Sequence, residues 1–123
     1  MVATITKCTT NSASHRFVLA YLPKLKSINI GNNCWTATNI FELSNLDLLE
    51  SVVIGKDSFS GEQSGSSYQI MNCPILKSIK MGDDSFTNYQ SFELNNLPSL
   101  QSIDIGANGI NFAPSFSLTG MID

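Results

Sequence analysis

Cysteine and histidine are the residues of this chain whose side chains suggest nucleophilic or metal chemistry. Cys8 and His15 lie in one polar stretch, and such a pair can form a thiol–imidazole nucleophile. Nothing else in that stretch would place a substrate, so a capping segment with an exposed histidine is the stronger interpretation. No spacing between the single histidine and the cysteines, Cys34 and Cys73 included, suits zinc. We expect no catalytic residue, no metal site and no cofactor.

Aspartates and glycines offer no better candidate for a bound ion or phosphate. Asp83 and Asp84 are adjacent, but a solvated turn explains them better because the aspartates lack the dense spacing of a calcium loop. Each glycine of the repeated segment described below stands alone, so no phosphate-binding loop is present. Cys73 takes a position that is leucine in equivalent segments, and we expect it to be a small core residue.

Composition excludes further classes of function. The chain has 123 residues, enough for one domain, with 14% charged residues and a net charge of −3. An acidic chain lacks the basic surface that nucleic acids and acidic membranes bind, so we expect no nucleic-acid partner. No apolar run approaches the roughly 18 residues of a membrane span, and the first residues lack the apolar core of a secretory signal. We therefore expect no membrane insertion.

A recurring segment organises the chain. Its four copies begin at Leu22, Leu46, Cys73 and Leu97, at intervals of 24, 27 and 24 residues. Each copy contains two aliphatic residues two positions apart, which point to the same side of a β-strand. One copy cannot bury that side alone, so we expect successive copies to stack. The inward pairs are Ile28/Ile30, Val52/Ile54, Ile79/Met81 and Ile103/Ile105.

A second alternation precedes each copy, with an aromatic residue followed two positions later by an aliphatic one. We interpret these segments as short strands on the opposite side of the molecule, with a 3₁₀ turn as the alternative. The connection back to the main strand is too short for a helix. The pairs are Phe17/Leu19, Phe41/Leu43, Tyr68/Ile70, Phe92/Leu94 and Phe116/Leu118.

The segment resembles the leucine-rich-repeat family, whose core motif is L-x-x-L-x-L-x-x-N-x-L. The first copy matches it at Leu25, Ile28, Ile30, Asn33 and Trp35, and the other three copies match in phase. The F-x-L and S-I-x-I-G segments look most like leucine-rich repeats of protist and bacterial surface-type proteins. The resemblance implies a β-rich, right-handed solenoid with a parallel concave sheet, short convex strands or 3₁₀ turns, and little α-helix.

Domain organisation follows from the repeats. We expect a cap-like segment over residues 1–16 and one solenoid domain over residues 17–123, with four repeats and a truncated fifth from a longer array. The C-terminal end should then expose apolar side chains and self-associate. These side chains are Ile105, Ile110, Phe112, Phe116, Leu118 and Met121.

A polar side chain occurs where each copy turns out of its strand. We expect it to point inward and to hydrogen-bond unpaired backbone groups of the turn, more fully as asparagine than as aspartate. The glycine two positions earlier either adopts a positive φ or leaves room for close backbone packing. The polar ladder comprises Asn33, Asp57, Asp84 and Asn108, and the glycines are Gly31, Gly55, Gly82 and Gly106.

Residues between the inward aliphatics should form rows on the exposed face, because equivalent residues stack about 4.8 Å apart. Wherever two charges are neighbours in a row they are opposite, which leaves neither a basic stripe nor an acidic trough. The expected contact rows are Asn29, Val53, Lys80 and Asp104, then Asn32, Lys56 and Asp83, then Lys26, Glu50 and Lys77.

This mixed surface suits a protein partner, with a glycan as another possibility and a passive, solvated face as the competing interpretation. We expect a non-catalytic protein-interaction module, since the resemblance implies protein binding on the concave face. The alternative is a structural or scaffold segment that self-assembles through its open end. The compartment stays open: the absence of an N-x-[ST] site and the unpaired cysteines favour the cytoplasm, and the resemblance favours the cell surface.

Overall fold

The computed structural model of the chain describes residues 2–5, 15–32, 38–59, 66–86, 89, 91–107 and 115–119. Every regular element within these residues is a β-strand, and accordingly none of them forms a helix able to cross a membrane. The strands are β1 (Val2–Ile5), β2 (His15–Ala20), β3 (Ser27–Ile30), β4 (Thr38–Ser44), β5 (Ser51–Ile54), β6 (Ser67–Met71), β7 (Ser78–Met81), β8 (Ser91–Asn95), β9 (Ser102–Ile105) and β10 (Ser115–Thr119).

The strands form two parallel sheets of five strands each. The front sheet has the order β1-β3-β5-β7-β9, and the back sheet has the order β2-β4-β6-β8-β10. Neighbouring strands come from successive repeats, so the chain alternates between the sheets and coils into a β-solenoid. The predicted stacking in register is confirmed, with Ile28 beside Val52 and Val52 beside Ile79.

The front strands show the alternation that their sequence predicts. In β7, Ile79 and Met81 are buried and Lys80 between them is exposed, and β3 and β5 follow the same pattern. In β9, Ile103 and Ile105 continue the inward register of Ile79 and Met81, but Ile103 is 37% exposed and Ile105 is half-buried. Among the described strands, β9 pairs with β7 alone and forms the edge of the front sheet, so its inward side chains are less covered.

The aromatic–aliphatic segments are strands, which excludes the 3₁₀ alternative. They form the back sheet, and their aromatic rings stack along the solenoid axis. The ring centroids of Phe17 and Phe41 lie 5.4 Å apart, those of Phe41 and Tyr68 lie 4.9 Å apart, and those of Tyr68 and Phe92 lie 4.0 Å apart. Each pair has nearly parallel ring planes, so one continuous aromatic column runs through four repeats.

A second aromatic stack lies against the first. Phe59 and Phe86 are parallel at 5.0 Å, and Phe86 meets Phe41 and Tyr68 edge-on at 5.1 and 4.7 Å. Both phenylalanines have a positive φ, an uncommon conformation for a bulky residue. The core between the sheets therefore combines aliphatic side chains from the front sheet with aromatic side chains from the back sheet and from the turns.

A four-residue turn connects each back strand to the following front strand. In the first repeat the amide of Leu25 donates to the carbonyl oxygen of Leu22 at 3.3 Å, and the other repeats form the equivalent bond. The second turn position is proline in three repeats and aspartate in one: Pro23, Asp47, Pro74 and Pro98. The residue before each turn has a positive φ of 56° or 57°: Tyr21, Asn45, Asn72 and Asn96.

The glycines that follow β5, β7 and β9 serve close packing rather than a positive φ. A Cβ added to Gly82 would lie 2.8 Å from the carbonyl carbon of Gly55 and 2.5 Å from the amide nitrogen of Lys56. Real Cβ atoms do not approach backbone atoms so closely, so a side chain here would push neighbouring repeats apart. Of the two explanations predicted for these glycines, the structure therefore supports room for close backbone packing.

The N-terminal strand extends the front sheet. Strand β1 pairs in parallel with β3, with Val2 beside Ser27 and Ile5 beside Ile30. The back sheet begins at His15, within the segment of residues 1–16 that the sequence predicts to be cap-like. The cap-like role of that segment stays a prediction.

Candidate binding surface on the front sheet

The outward side chains of the front sheet form a row across four repeats. The register places Asn29 beside Val53, Val53 beside Lys80, and Lys80 beside Asp104. Asn29 is half-buried and the other three are exposed, Val53 to 37%. We call these four residues the front face. It joins one apolar side chain, one cation and one anion over three neighbouring strands.

A row of charged and polar residues precedes the front strands. The amide of Glu50 donates to the carbonyl oxygen of Lys26 at 2.7 Å, and the amide of Lys77 donates to that of Glu50 at 2.9 Å. Their side chains are exposed, as is that of Gln101 in the fourth repeat. The parallel hydrogen bonding therefore begins before the strands themselves and places these charges in the predicted order.

The row that follows the front strands, formed by Asn32, Lys56 and Asp83, contributes hydrogen bonds between repeats. The Oδ1 atom of Asn32 accepts a hydrogen bond from the amide of Lys56 at 2.9 Å, and Oδ1 of Asp83 accepts one from the amide of Ala107 at 2.9 Å. Each bond joins one repeat to the next. Two of the three residues predicted as contacts in this row thus bind backbone, while the side chain of Lys56 is exposed.

Two members of the polar ladder predicted at the turns are described. Asp57 is half-buried and Asp84 is exposed, both with a positive φ near 60°. The inward hydrogen bonding expected of the ladder stays a prediction. Asn33 and Asn108 lie outside the described residues.

Ser58 and Ser85, one residue further along, are fully buried and hydrogen-bond the turn backbone of the preceding repeat. The Ser85 hydroxyl donates to the carbonyl oxygen of Gly55 at 2.8 Å, and the Ser58 hydroxyl donates to that of Gly31 at 3.0 Å. The repeated D-S-F tripeptide of the second and third copies was the available sequence signal.

An asparagine pair that the sequence analysis missed lies at the opposite corner of the coil. The side-chain amide of Asn96 donates to Oδ1 of Asn72 at 3.0 Å. The signal was an asparagine directly before three of the four repeat starts. Because both residues have a positive φ, asparagine suits the backbone as well as the side-chain bond.

The described thiol is a buried core group. Cys73 is fully buried, as predicted for a core residue, and its Sγ lies 3.4 Å from the carbonyl oxygen of Met71. Burial raises the pKa of this thiol; a backbone hydrogen bond at Leu46 lowers it in part, and the Asp47 carboxylate raises it by a lesser amount. Cys8, Cys34 and the side chain of His15 lie outside the described residues. No group of three metal-ligating side chains occurs among the residues that the structure describes.

Two buried tyrosines have pKa values above the ordinary one. Burial raises the pKa of Tyr68 and of Tyr89, so both stay protonated at alkaline pH values where an exposed tyrosine ionises. The Tyr68 hydroxyl is buried and has no hydrogen-bond partner in the described structure. It occupies the aromatic column at a position that is phenylalanine in the other three described repeats.

Stacked parallel strands with a repeat of 24 to 27 residues define this chain as a β-solenoid repeat protein. Compared with protein-family models, with curated proteins and with solved structures, the chain matches none. Assignment to the leucine-rich repeats and a concave shape of the front sheet therefore remain predictions from the sequence resemblance.

Proposed function

We propose that this β-solenoid is a non-catalytic module that binds a protein partner through the front face. The proposal includes the finer assignment to the leucine-rich-repeat family, whose members bind proteins on the equivalent side of their sheet. The observation that carries it is the row formed by Val53, Lys80 and Asp104, in which an exposed apolar side chain lies beside two opposite charges. An interface needs an apolar contact within a polar surround.

Rigid placement supports the proposal. Val53 and Lys80 project from strands whose backbone is hydrogen-bonded and whose alternate residues are buried. A partner would therefore meet a pre-ordered surface and lose little entropy in ordering it. The acidic net charge and the mixed signs on this surface favour a protein over nucleic acid.

A matched pair of double variants tests the proposal. Val53→Arg with Lys80→Glu changes an exposed apolar residue and an exposed cation on the front sheet. Val18→Arg with Arg16→Glu makes the same changes on the back sheet, where Val18 is 38% exposed and Arg16 is exposed. Both variants should fold, as judged by circular dichroism and by thermal melting.

Quantitative affinity capture from extracts, with the enriched proteins identified by mass spectrometry, is the readout. We expect the same proteins to be enriched by the wild type and the back-sheet variant, and to be lost from the front-sheet variant. Identical enrichment by all three proteins would contradict the proposal.

We infer a second candidate function from the edge of the front sheet, namely assembly by stacking of one chain on another. Ile103 is 37% exposed where Val52 and Ile79 are buried, and the side of β9 that pairs with no described strand offers backbone groups for a further strand. Of the six apolar residues predicted at this end, only the side chain of Ile105 is described, and it is half-buried.

Sedimentation velocity over a range of concentrations distinguishes the two functions. Assembly through β9 predicts that the sedimentation coefficient rises with concentration and that Ile103→Lys abolishes the rise. The front-sheet double variant should leave the assembly unchanged. A sedimentation coefficient independent of concentration would contradict the second function and leave the first in place.

A further inference from the structure

A separate surface lies at the corner where the back strands turn toward the front sheet, between the first two repeats. It is an open groove of about 320 Å³ lined by Tyr21, Pro23, Asn45 and Asp47. We call it the corner groove. None of its residues belongs to the front face, so this inference does not depend on the proposed function.

The corner groove contains two departures from the chain's own repeat. Tyr21 stands where the other three repeats have asparagine, and Asp47 stands where the other three have proline. The two positions belong to different repeats and to different turn positions, yet both side chains line the same groove. Two independent departures thus converge on one place.

Neither departure matches the local backbone preference. Tyr21 has a φ of 56°, a conformation that asparagine adopts readily and aromatic residues adopt rarely, and its side chain is 74% exposed. It also lacks the carboxamide that joins Asn72 to Asn96. Asp47 replaces the residue type that best fits the second position of such a turn. Residues kept against local preference, without gain in burial, are typical of functional sites.

The chemistry of the corner groove matches an uncharged sugar ring. The exposed phenol of Tyr21 and the ring of Pro23 offer apolar surfaces to the C–H face of a pyranose. The Asp47 carboxylate accepts hydrogen bonds from hydroxyl groups, and the Asn45 carboxamide both donates and accepts. A volume of about 320 Å³ is at the lower end of ligand sites and suits one or two rings. The carboxylate disfavours phosphates and other anions.

We propose that the corner groove binds a neutral hexopyranose, as a free sugar or as a terminal unit of a glycan. Tyr21 stacks on the ring, and Asp47 and Asn45 bind its hydroxyl groups. The chain thereby carries a carbohydrate subsite beside its protein-binding surface.

Amide chemical shifts of the isotopically labelled chain, titrated with lactose, maltose and cellobiose at millimolar concentrations, test this proposal. At least one disaccharide should shift the amide signals of Tyr21, Asn45 and Asp47 and leave that of Lys80 unchanged. The absence of shifts at the groove with all three sugars, or equal shifts across the whole chain, would overturn the proposal.

Variants that restore the repeat separate binding from folding. Tyr21→Asn and Asp47→Pro each introduce the residue that the other repeats use, so both should melt at or above the wild-type temperature. Each should weaken sugar binding about tenfold or more, because it removes a principal contact. Tyr21→Phe, which keeps the stacking ring, and the front-face double variant should bind as the wild type does. A lower melting temperature of Tyr21→Asn, or its unchanged affinity, would show that the tyrosine serves the fold instead.

Discussion

Equivalent residues in the interior and at the edge of this solenoid differ in burial although their sequence pattern is the same. Ile79 in β7, which has a strand on each side, is 1% exposed, and Ile103 in β9, which has a strand on one side, is 37% exposed. The alternation of residues determines which side chains point inward. The neighbouring repeat determines whether they are removed from water, so the stability of each repeat depends on its position.

The aromatic core shows the same contrast to a smaller degree. Phe86 is fully buried and contacts the rings of Phe41, Phe59, Tyr68 and Tyr89. Phe17, in the edge strand of the back sheet, is 8% exposed. Truncation of Phe86 should therefore lower the free energy of unfolding more than truncation of Phe17.

The largest effect should follow truncation of that interior ring. Phe86→Ala should lower the free energy of unfolding by about 3–5 kcal/mol, because it removes a buried ring and leaves a cavity in the second aromatic stack, against the first. Phe17→Ala should cost less, because water can reach the vacated space. Urea unfolding followed by circular dichroism measures both values, and a larger loss for Phe17→Ala would contradict the contrast.

A methyl group added between repeats should have the next largest effect. Gly82→Ala places a Cβ against the backbone of Gly55 and Lys56 and should cost about 1–3 kcal/mol, as overpacking does. Gly106→Ala meets the backbone of the preceding repeat in the same way, but β9 is the edge of the front sheet among the described strands and should shift outward at lower cost.

The exposed change Lys80→Ala is the control, expected to alter stability by less than about 0.5 kcal/mol. Equal costs at Gly82 and Gly106, measured by thermal and urea unfolding, would show that the edge strand is held as firmly as the interior ones.

A smaller, stabilising effect is expected at Tyr68. Its hydroxyl is buried without a hydrogen-bond partner in the described structure, and the equivalent residues Phe17, Phe41 and Phe92 lack this group. Tyr68→Phe should therefore raise the free energy of unfolding by roughly 1–2 kcal/mol. An unchanged or lower stability of this variant would indicate that the hydroxyl is satisfied in solution.

The stability of the fold should also depend on pH in the alkaline range through Tyr68. Burial raises the pKa of Tyr68 and Tyr89 in the folded state, whereas an unfolded tyrosine ionises near pH 10. Below about pH 10 both states hold the proton and stability does not change through these groups. Above it the unfolded state loses the proton first, so stability falls as the pH rises. Tyr68→Phe should lose less stability than the wild type between pH 9 and 11; parallel losses in urea titrations would contradict the assignment.

The sequence predicted the architecture well because its signals are local and repeated. Two aliphatic residues two positions apart, such as Ile79 and Met81, predict a β-strand and the side of it that faces the core. Four copies of this pair predict that the strands stack in register. The order of the front-face row followed from the same register. The inward side of each strand, the stacking and the order of the row depend only on spacing along the chain, which can be read directly from the sequence.

Features that depend on contacts with the neighbouring repeat could not be predicted from spacing along the chain. The exposure of Ile103 depends on what lies beyond β9, and the role of the glycines depends on the distance between two backbones. The inward serine ladder at Ser58 and Ser85 depends on the positive φ of the preceding aspartates. Spacing in the sequence does not encode these distances and angles.

The direct test of the account is the paired measurement of Ile79→Ala and Ile103→Ala under identical conditions. Ile79→Ala should lower the free energy of unfolding by about 2–5 kcal/mol, as expected for a fully buried isoleucine. Ile103→Ala should lower it by less, about 1 kcal/mol, because 37% of this residue is already exposed to water and the site can relax into solvent. Equal losses at the two positions would contradict the claim that each repeat obtains its burial from its neighbours.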